Sequence, residues 1–321
     1  MTKSLKIIIG IALGLVIAGV VLTLVAFAVV GFDVGRIGAG KFDTKTYPIT
    51  EPVERVAITV DTADVTFLVA EDGETRVECF ENEKEPHTVA VADGKLTVGV
   101  VKHEKWYNRI SFFSKSPKIT VYLPAGKYAA LTVETDTGDV TVPETITFGT
   151  IRIETDTGDV TLAGGTPATV DVETDTGDVA YSSSAPGAVG IKTDTGDVKM
   201  ISVSCGDLSV KTDTGKVKMT DVSCAALTIK TNTGDAILKN VVGTGDAKIE
   251  TDTGDVDFDR CDAANYDIKT DTGDVTGTIR TGKLYTVSSR TGNVNLPDHD
   301  TASGAFKVST HTGDVKITIA E

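Results

Sequence analysis

The chain has 321 residues, a formal net charge of −15, 6% aromatic residues and a single Trp, Trp106. The acidic balance excludes a nucleic-acid binder, which needs a basic face to displace counterions, and argues against contact with anionic lipid beyond an anchor. Scarce aromatics exclude an ordinary large compact core, and the charge leaves metal ions, amines or basic proteins as the reasonable charged partners.

At the N-terminus, Lys3 and Lys6 precede an uncharged run from Ile7 to Gly31. At ~1.5 Å per residue such a helix is about 37 Å long, enough to cross a ~30 Å bilayer core with tilt. Basic residues ahead of the run predict a cytoplasmic N-terminus and an exported remainder. Residues 1–31 therefore read as a single-pass transmembrane anchor. Ala26-Phe27-Ala28 has the form of a cleavage site, so a cleaved leader is the alternative, although the run exceeds the usual ~7–15-residue apolar region. Either reading exports the body. Residues 32–46 are polar and Gly-containing, a linker.

Residues 47–130 show strand-like segments at Thr88–Val91, Lys95–Val101 and Lys118–Leu123 without regular repeats, and Trp106, Tyr107, Phe112 and Phe113 cluster there. Val60-Asp61-Thr62-Ala63-Asp64-Val65 is a degenerate copy of a motif that recurs downstream, with Ala63 in its glycine slot. A solenoid end exposes unpaired backbone and apolar core, so this stretch reads as an irregular β N-terminal cap.

From residue 131 to 321 the chain is a repeat. Thr-Asp-Thr-Gly-Asp-Val or a close variant recurs around Gly138, Gly158, Gly177, Gly196, Gly215, Gly234, Gly254, Gly273, Gly292 and Gly313, at spacings of 20, 19, 19, 19, 19, 20, 19, 19 and 21. Such periodicity signals a stacked repeat. Within a repeat, Val160 and Leu162 alternate with Thr161, Gly164-Gly165-Thr166-Pro167 breaks the chain, and Val170 and Val172 alternate with Asp171 and Glu173. Period two bounded by turn residues means half-buried strands and excludes helix. Apolar columns persist from repeat to repeat seven and five residues before each glycine and two after it, as in Val170, Val172 and Val179. The pattern predicts an all-β fold, a single-stranded parallel β-solenoid of about ten 19–20-residue coils. At ~4.8 Å per strand it makes a rod of very roughly 45–50 Å.

The recurring Thr-Asp-Thr-Gly-Asp-Val, the N-terminal anchor and the irregular β segment before the repeats resemble the bacterial β-strand-repeat family labelled candidate adhesins, a domain of unknown function. The resemblance covers about residues 50–321. It implies a right-handed solenoid outside a bacterial membrane and transfers no catalytic residue. Some relatives are associated with cell-envelope stress systems, which gives a second role.

In Val133-Glu134-Thr135-Asp136-Thr137-Gly138-Asp139-Val140, alternation places Val133, Thr135 and Thr137 inward and Asp136 outward. Gly138 falls at a corner that favours positive φ. The threonines then fill the narrow end of the core, and Asp caps a turn N–H. The competing functional reading is Ca²⁺ at the acidic columns, with Asp136, Asp139, Asp156, Asp159, Asp175, Asp178, Asp194 and Asp197 as candidate ligands. Like carboxylates about 4.8 Å apart repel, and hard cations relieve this. Against it, the spacing differs from calcium-binding β-rolls, and Lys216, Asn232, Arg290, Asn293 and His311 interrupt the columns. No other cofactor is expected. An ice-binding array would need the threonines outside.

Glu154, Glu173, Lys192, Lys211, Lys230, Glu250 and Lys269 stand four residues before their glycines and read as a solvated mixed-charge face. Cys205 and Cys224 each follow a motif glycine by nine residues. They are neighbours in adjacent coils at about 5 Å, within disulfide range, or two small turn residues. Cys79 and Cys261 read as packing residues. His87, His103, His299 and His311 show no metal spacing, and neither a nucleophile elbow nor a phosphate loop appears. The expectation is a non-enzymatic membrane-anchored surface scaffold that binds an undefined surface or protein ligand, or else a component of envelope-stress sensing.

Overall fold

The computed structural model describes residues 41–83, 85–100, 116–163, 165–185, 187–298 and 302–320, with Val16, Gly19, Val20 and Val21. Those four are helical, and among the described residues no helix is long and apolar enough to cross a membrane. The expected anchor otherwise lies outside the described residues, as do Trp106, Tyr107, Phe112 and Phe113.

The body is all-β. It is a parallel β-solenoid whose strands form one 15-stranded and one 13-stranded sheet. Each repeat gives a strand to each sheet. Ile146–Thr157 joins the 13-stranded sheet, the chain turns the glycine corner at Gly158, and Val160–Ala163 joins the 15-stranded one. The next repeat returns in parallel and in register, Ile153 opposite Val172 and Glu154 opposite Glu173. Like therefore stacks on like, and the alternating burial follows from the period-two sequence.

The core lies between the sheets. Ile151, Ile153, Val170 and Val172 close it from one side and Val160, Leu162 and Val179 from the other, all buried. In the middle coils a third wall forms. Ser202, Asp221, Asn240 and Arg260 stack with φ of 52–55°, a left-handed bend that Asn and Asp tolerate best among residues with a Cβ. Each bend turns the next side chain inward, burying Val203, Val222, Val241 and Cys261.

Two expected boundaries need correction. Phe42–Pro48 is already a strand, so residue 46 does not separate linker from cap. The first coil is formed by Arg55–Thr62 and Asp64–Val69, paired with Gly126–Thr137 and Val140–Val142, so the solenoid begins inside the stretch expected as cap. On its other side the same coil pairs with Lys95–Val100 and Lys118–Leu123. Antiparallel strands finish this end: Phe42–Pro48 on Arg76–Asn82, Arg76–Asn82 on Lys118–Leu123, and His87–Ala92 on Lys95–Val100.

At the other end the last two coils exchange places. Asn265–Thr272 pairs with Ala305–Thr312, and Leu284–Thr291 pairs on the far side of Ala305–Thr312. The opposite sheet agrees, with Val315–Ile319 between Val275–Ile279 and Val294–Asn295. The buried Lys283 bridges the exchange. Its Nζ donates to the Ala263 carbonyl at 2.6 Å and the Ser303 carbonyl at 2.7 Å, and lies 3.1 Å from Asp262 Oδ1.

Candidate functional site: corner ladders and a buried cluster

The repeated motif makes three ladders at one corner of the rod. The glycine ladder exists because backbones touch there. A Cβ on Gly158 would sit 2.0 Å from the Gly138 carbonyl oxygen, and one on Gly177 would sit 1.9 Å from that of Gly158. Gly138 meets Ala63 O in the same way at 2.0 Å.

The threonine ladder corrects the expectation that both threonines point inward. Thr155, Thr174 and Thr193 are buried, while Thr157, Thr176 and Thr195, just before the glycines, are exposed. The buried hydroxyls donate to the preceding coil's glycine carbonyl, Thr174 Oγ1 to Gly158 at 3.3 Å and Thr193 Oγ1 to Gly177 at 3.2 Å. At the exchanged end Ser289 Oγ donates to Gly313 at 3.0 Å, so this bond follows spatial order rather than chain order.

The aspartates after the glycines form the third ladder. Each accepts from the next coil's backbone rather than from its own turn, as the local-cap reading expected. Asp159 N–H donates to Asp139 Oδ1 at 2.9 Å, Asp178 N–H to Asp159 Oδ1 at 2.8 Å and Asp197 N–H to Asp178 Oδ1 at 2.7 Å. Charge-assisted bonds of this kind offset part of the repulsion along the column. Lys216 interrupts it. Its N–H donates to Asp197 Oδ1 at 2.8 Å and its Nζ sits 2.9 Å from Asp235 Oδ2. That hydrogen bond, with the Asp255 N–H, holds the Asp235 carboxyl below its ordinary range against a smaller desolvation effect.

The aspartates two before the glycines face solvent. Asp136, Asp156 and Asp175 are exposed and Asp194 is half-buried. His311 Nδ1 lies 3.0 Å from Asp271 Oδ1 and Asn232 Nδ2 donates to Asp213 Oδ1 at 3.3 Å, so the interrupting residues pair with the column. Five carboxylates line a groove of about 290 Å³ near the capped end: Asp61, Glu134, Asp136, Glu154 and Asp156. On the neighbouring flat face Lys192 pairs with Glu173, and Lys230 lies 3.6 Å from Glu250.

Cys205 and Cys224 stack in adjacent coils, Cys205 N–H donating to the Ser223 carbonyl at 2.9 Å, but both are free thiols. In-register parallel strands carry neighbouring side chains side by side rather than toward each other. Burial pushes Cys205 up to about 12 and Cys224 up to about 11.

One cluster has no counterpart in the sequence reading. Cys79, Glu81 and His87 are all buried, and one ligand-capable atom from each lies within 4.8 Å of the others. Glu81 Oε2 accepts from the His87 N–H at 2.6 Å and lies 2.9 Å from His87 Nδ1, while Lys45 Nζ lies 2.6 Å from Oε1. Burial first, then the Glu81 charge, pushes the Cys79 thiol up to about 12. The available signal was the alternation of Arg76–Asn82, which puts Val77, Cys79 and Glu81 on one inward face. A carboxylate in an inward position asks for partners.

These features define a single-chain, two-sheet parallel solenoid with an antiparallel-stranded cap and in-register surface columns. The chain matches the family model described as Toastrack DUF4097 over residues 53–219 and again over 202–321, and it belongs to that family. The two matches overlap, as a periodic chain without an internal boundary should. No curated protein matches the chain. Among solved structures it is similar to a candidate adhesin from Bacteroides fragilis, with 15% identity, TM-score 0.39, and coverage of 87% of this chain and 97% of that one. It is also similar to a candidate adhesin from Parabacteroides distasonis, with 11% identity, TM-score 0.41, and coverage of 84% and 97%. A candidate cell adhesion protein from Clostridium sporogenes aligns at 9% identity and TM-score 0.33, covering 87% of this chain and 100% of that one.

Proposed function

We propose that this protein is a non-enzymatic scaffold, anchored in a bacterial cell membrane by residues 1–31, whose exported rod binds a surface or protein ligand in an adhesion role. One observation carries the reading: the 13-stranded sheet runs in register from the capped end to the exchanged coils. Its outer face lines up one side chain per strand in aligned columns, as at Glu154, Glu173 and Lys192. A face so regular offers an extended array rather than a pocket, and extended solenoid surfaces serve as binding surfaces. The acidic balance directs it toward basic or neutral partners.

The test is physiological. Cells lacking the protein should attach less well to a surface or host ligand, and the purified chain should retain a partner from cell-envelope fractions. Unchanged attachment with an altered response to envelope-damaging agents would replace adhesion by envelope-stress sensing.

A further inference from the structure

We propose that Cys79, Glu81 and His87 form a binding site for one divalent first-row metal ion, zinc above all, that clips the two sheets together at the capped end.

A thiol, a carboxylate and an imidazole converge, at 0%, 1% and 6% exposure. Sulfur and nitrogen donors select borderline ions such as Zn²⁺, whereas Ca²⁺ and Mg²⁺ take oxygen ligands. With Zn–S about 2.3 Å and Zn–N or Zn–O about 2.0–2.2 Å, ligand atoms in a tetrahedron stand roughly 3.4–3.6 Å apart. The ligand atoms already lie within 4.8 Å of one another, so the widest gap closes by roughly 1 Å.

Cys79 and Glu81 belong to Arg76–Asn82 in the 15-stranded sheet, and His87 opens His87–Ala92 in the 13-stranded sheet. Elsewhere the two sheets are joined by coil after coil, but this end is finished by antiparallel strands. An ion held by all three side chains would tie the sheets across the core.

The local bonds suit the change. Lys45 keeps Glu81 Oε1 at 2.6 Å, so that Oε2 is the oxygen turned to His87. On binding, the Cys79 thiol gives its proton to solvent and its sulfur bonds the ion as thiolate. Oε2 leaves His87 Nδ1 for the ion, and Nδ1 binds through its lone pair with the ring proton on Nε2. Thiolate and carboxylate together balance the double positive charge, and a fourth position remains for water.

The site involves none of the residues of the proposed binding face, so its failure and the failure of the adhesion reading are separate results. The full chain, purified and stripped with chelator, is titrated with Zn²⁺ and with Co²⁺. Expected are one tight equivalent, a rise in melting temperature, and a near-ultraviolet thiolate-to-cobalt band. Cys79→Ser should abolish the band, and His87→Gln should keep it while weakening zinc at least tenfold. Circular dichroism reports whether each variant folds, and His87→Gln decides alone if Cys79→Ser does not. Absence of saturable zinc binding, a cobalt band that survives Cys79→Ser, or an unchanged affinity in folded His87→Gln overturns the proposal.

Discussion

At the scale of the residue, the motif glycines show how stacking constrains a single atom. Gly196 has φ of 156°, and a Cβ there would lie 2.0 Å from the Gly177 carbonyl oxygen. Gly190, in the adjoining strand of the same repeat, would accept a Cβ in ordinary van der Waals contact, its nearest neighbour being Asp171 Oδ1 at 3.6 Å. Gly196→Ala should therefore force the coils apart and lower stability by more than ~1 kcal/mol, while Gly190→Ala should be neutral or stabilise by up to about 1 kcal/mol. Chemical denaturation of both variants beside the parent chain checks this, and equal effects would mean that the corner is not a backbone contact. The period of the glycines was legible in the sequence. Its cause was only half legible, because a carbonyl in the next coil leaves no trace in any single repeat. The same blindness put Thr137 inside: alternation continues on paper, but the chain turns at Gly138, and the residue before the turn escapes to solvent.

At the scale of the element, the Asp ladder is a backbone device first. Each carboxylate after a glycine spends one oxygen on the next coil's N–H, as Asp139, Asp159 and Asp178 do. The column survives Lys216 because that residue needs only to donate its N–H to Asp197 and can reach Asp235 with its ammonium. A calcium site would be less tolerant of a cationic side chain. Melting the full chain in Ca²⁺, in Mg²⁺ and in NaCl of matched ionic strength should give equal, modest shifts, because screening is common to all salts. A calcium-selective rise, which at ~100 times the dissociation constant would reach about 2.7 kcal/mol per site, removed by Asp175→Asn with Asp194→Asn, would restore the metal reading. Strand positions in the repeats followed from alternation, as at Val170 and Val172. The antiparallel partners in the cap did not, since nothing in Phe42–Pro48 or Arg76–Asn82 announces a mate that lies outside the local chain.

At the scale of the whole molecule, regularity erases information about order. Most coils present the same Val, Thr and Gly columns, with exceptions such as Ala63, Ala236 and Ser289, so one coil fits on another and the repeat pattern does not announce the exchange of the last two. Singular residues supply the missing specification. Lys283 sits in no repeat column, is 2% exposed, and ties Ala263 to Ser303 across the exchanged coils. Lys283→Met would remove the buried cation from those carbonyls and from Asp262, and losing hydrogen bonds to a charged group costs roughly 1.5–3 kcal/mol. The loss should appear in denaturant unfolding as early release of the C-terminal coils, with the middle coils unaffected. Unaltered stability would show that loop length alone sets the order.

The exchange also inverts the expected pattern of fraying. Repeat rods interact only with nearest neighbours, so they open from their ends, and opening costs least where backbone bonds are fewest. In a rod stacked in chain order the last segment, 305–319, would be outermost and would exchange its amide hydrogens first. Here Ala305–Thr312 is bonded on both edges, to Asn265–Thr272 and to Leu284–Thr291. Among the described residues Leu284–Thr291 is bonded on one edge only, and Leu284 and Val294 remain 65% and 48% exposed. Hydrogen exchange followed by mass spectrometry on the full chain should therefore show peptides from 284–295 exchanging well before those from 305–319. The reverse order would place the terminal segment outermost and would undo both the exchanged topology and the role given to Lys283. If the expected order is found, segment 305–319 is protected by being tucked between neighbouring coils, and the edge of the rod is presented by residues 284–295.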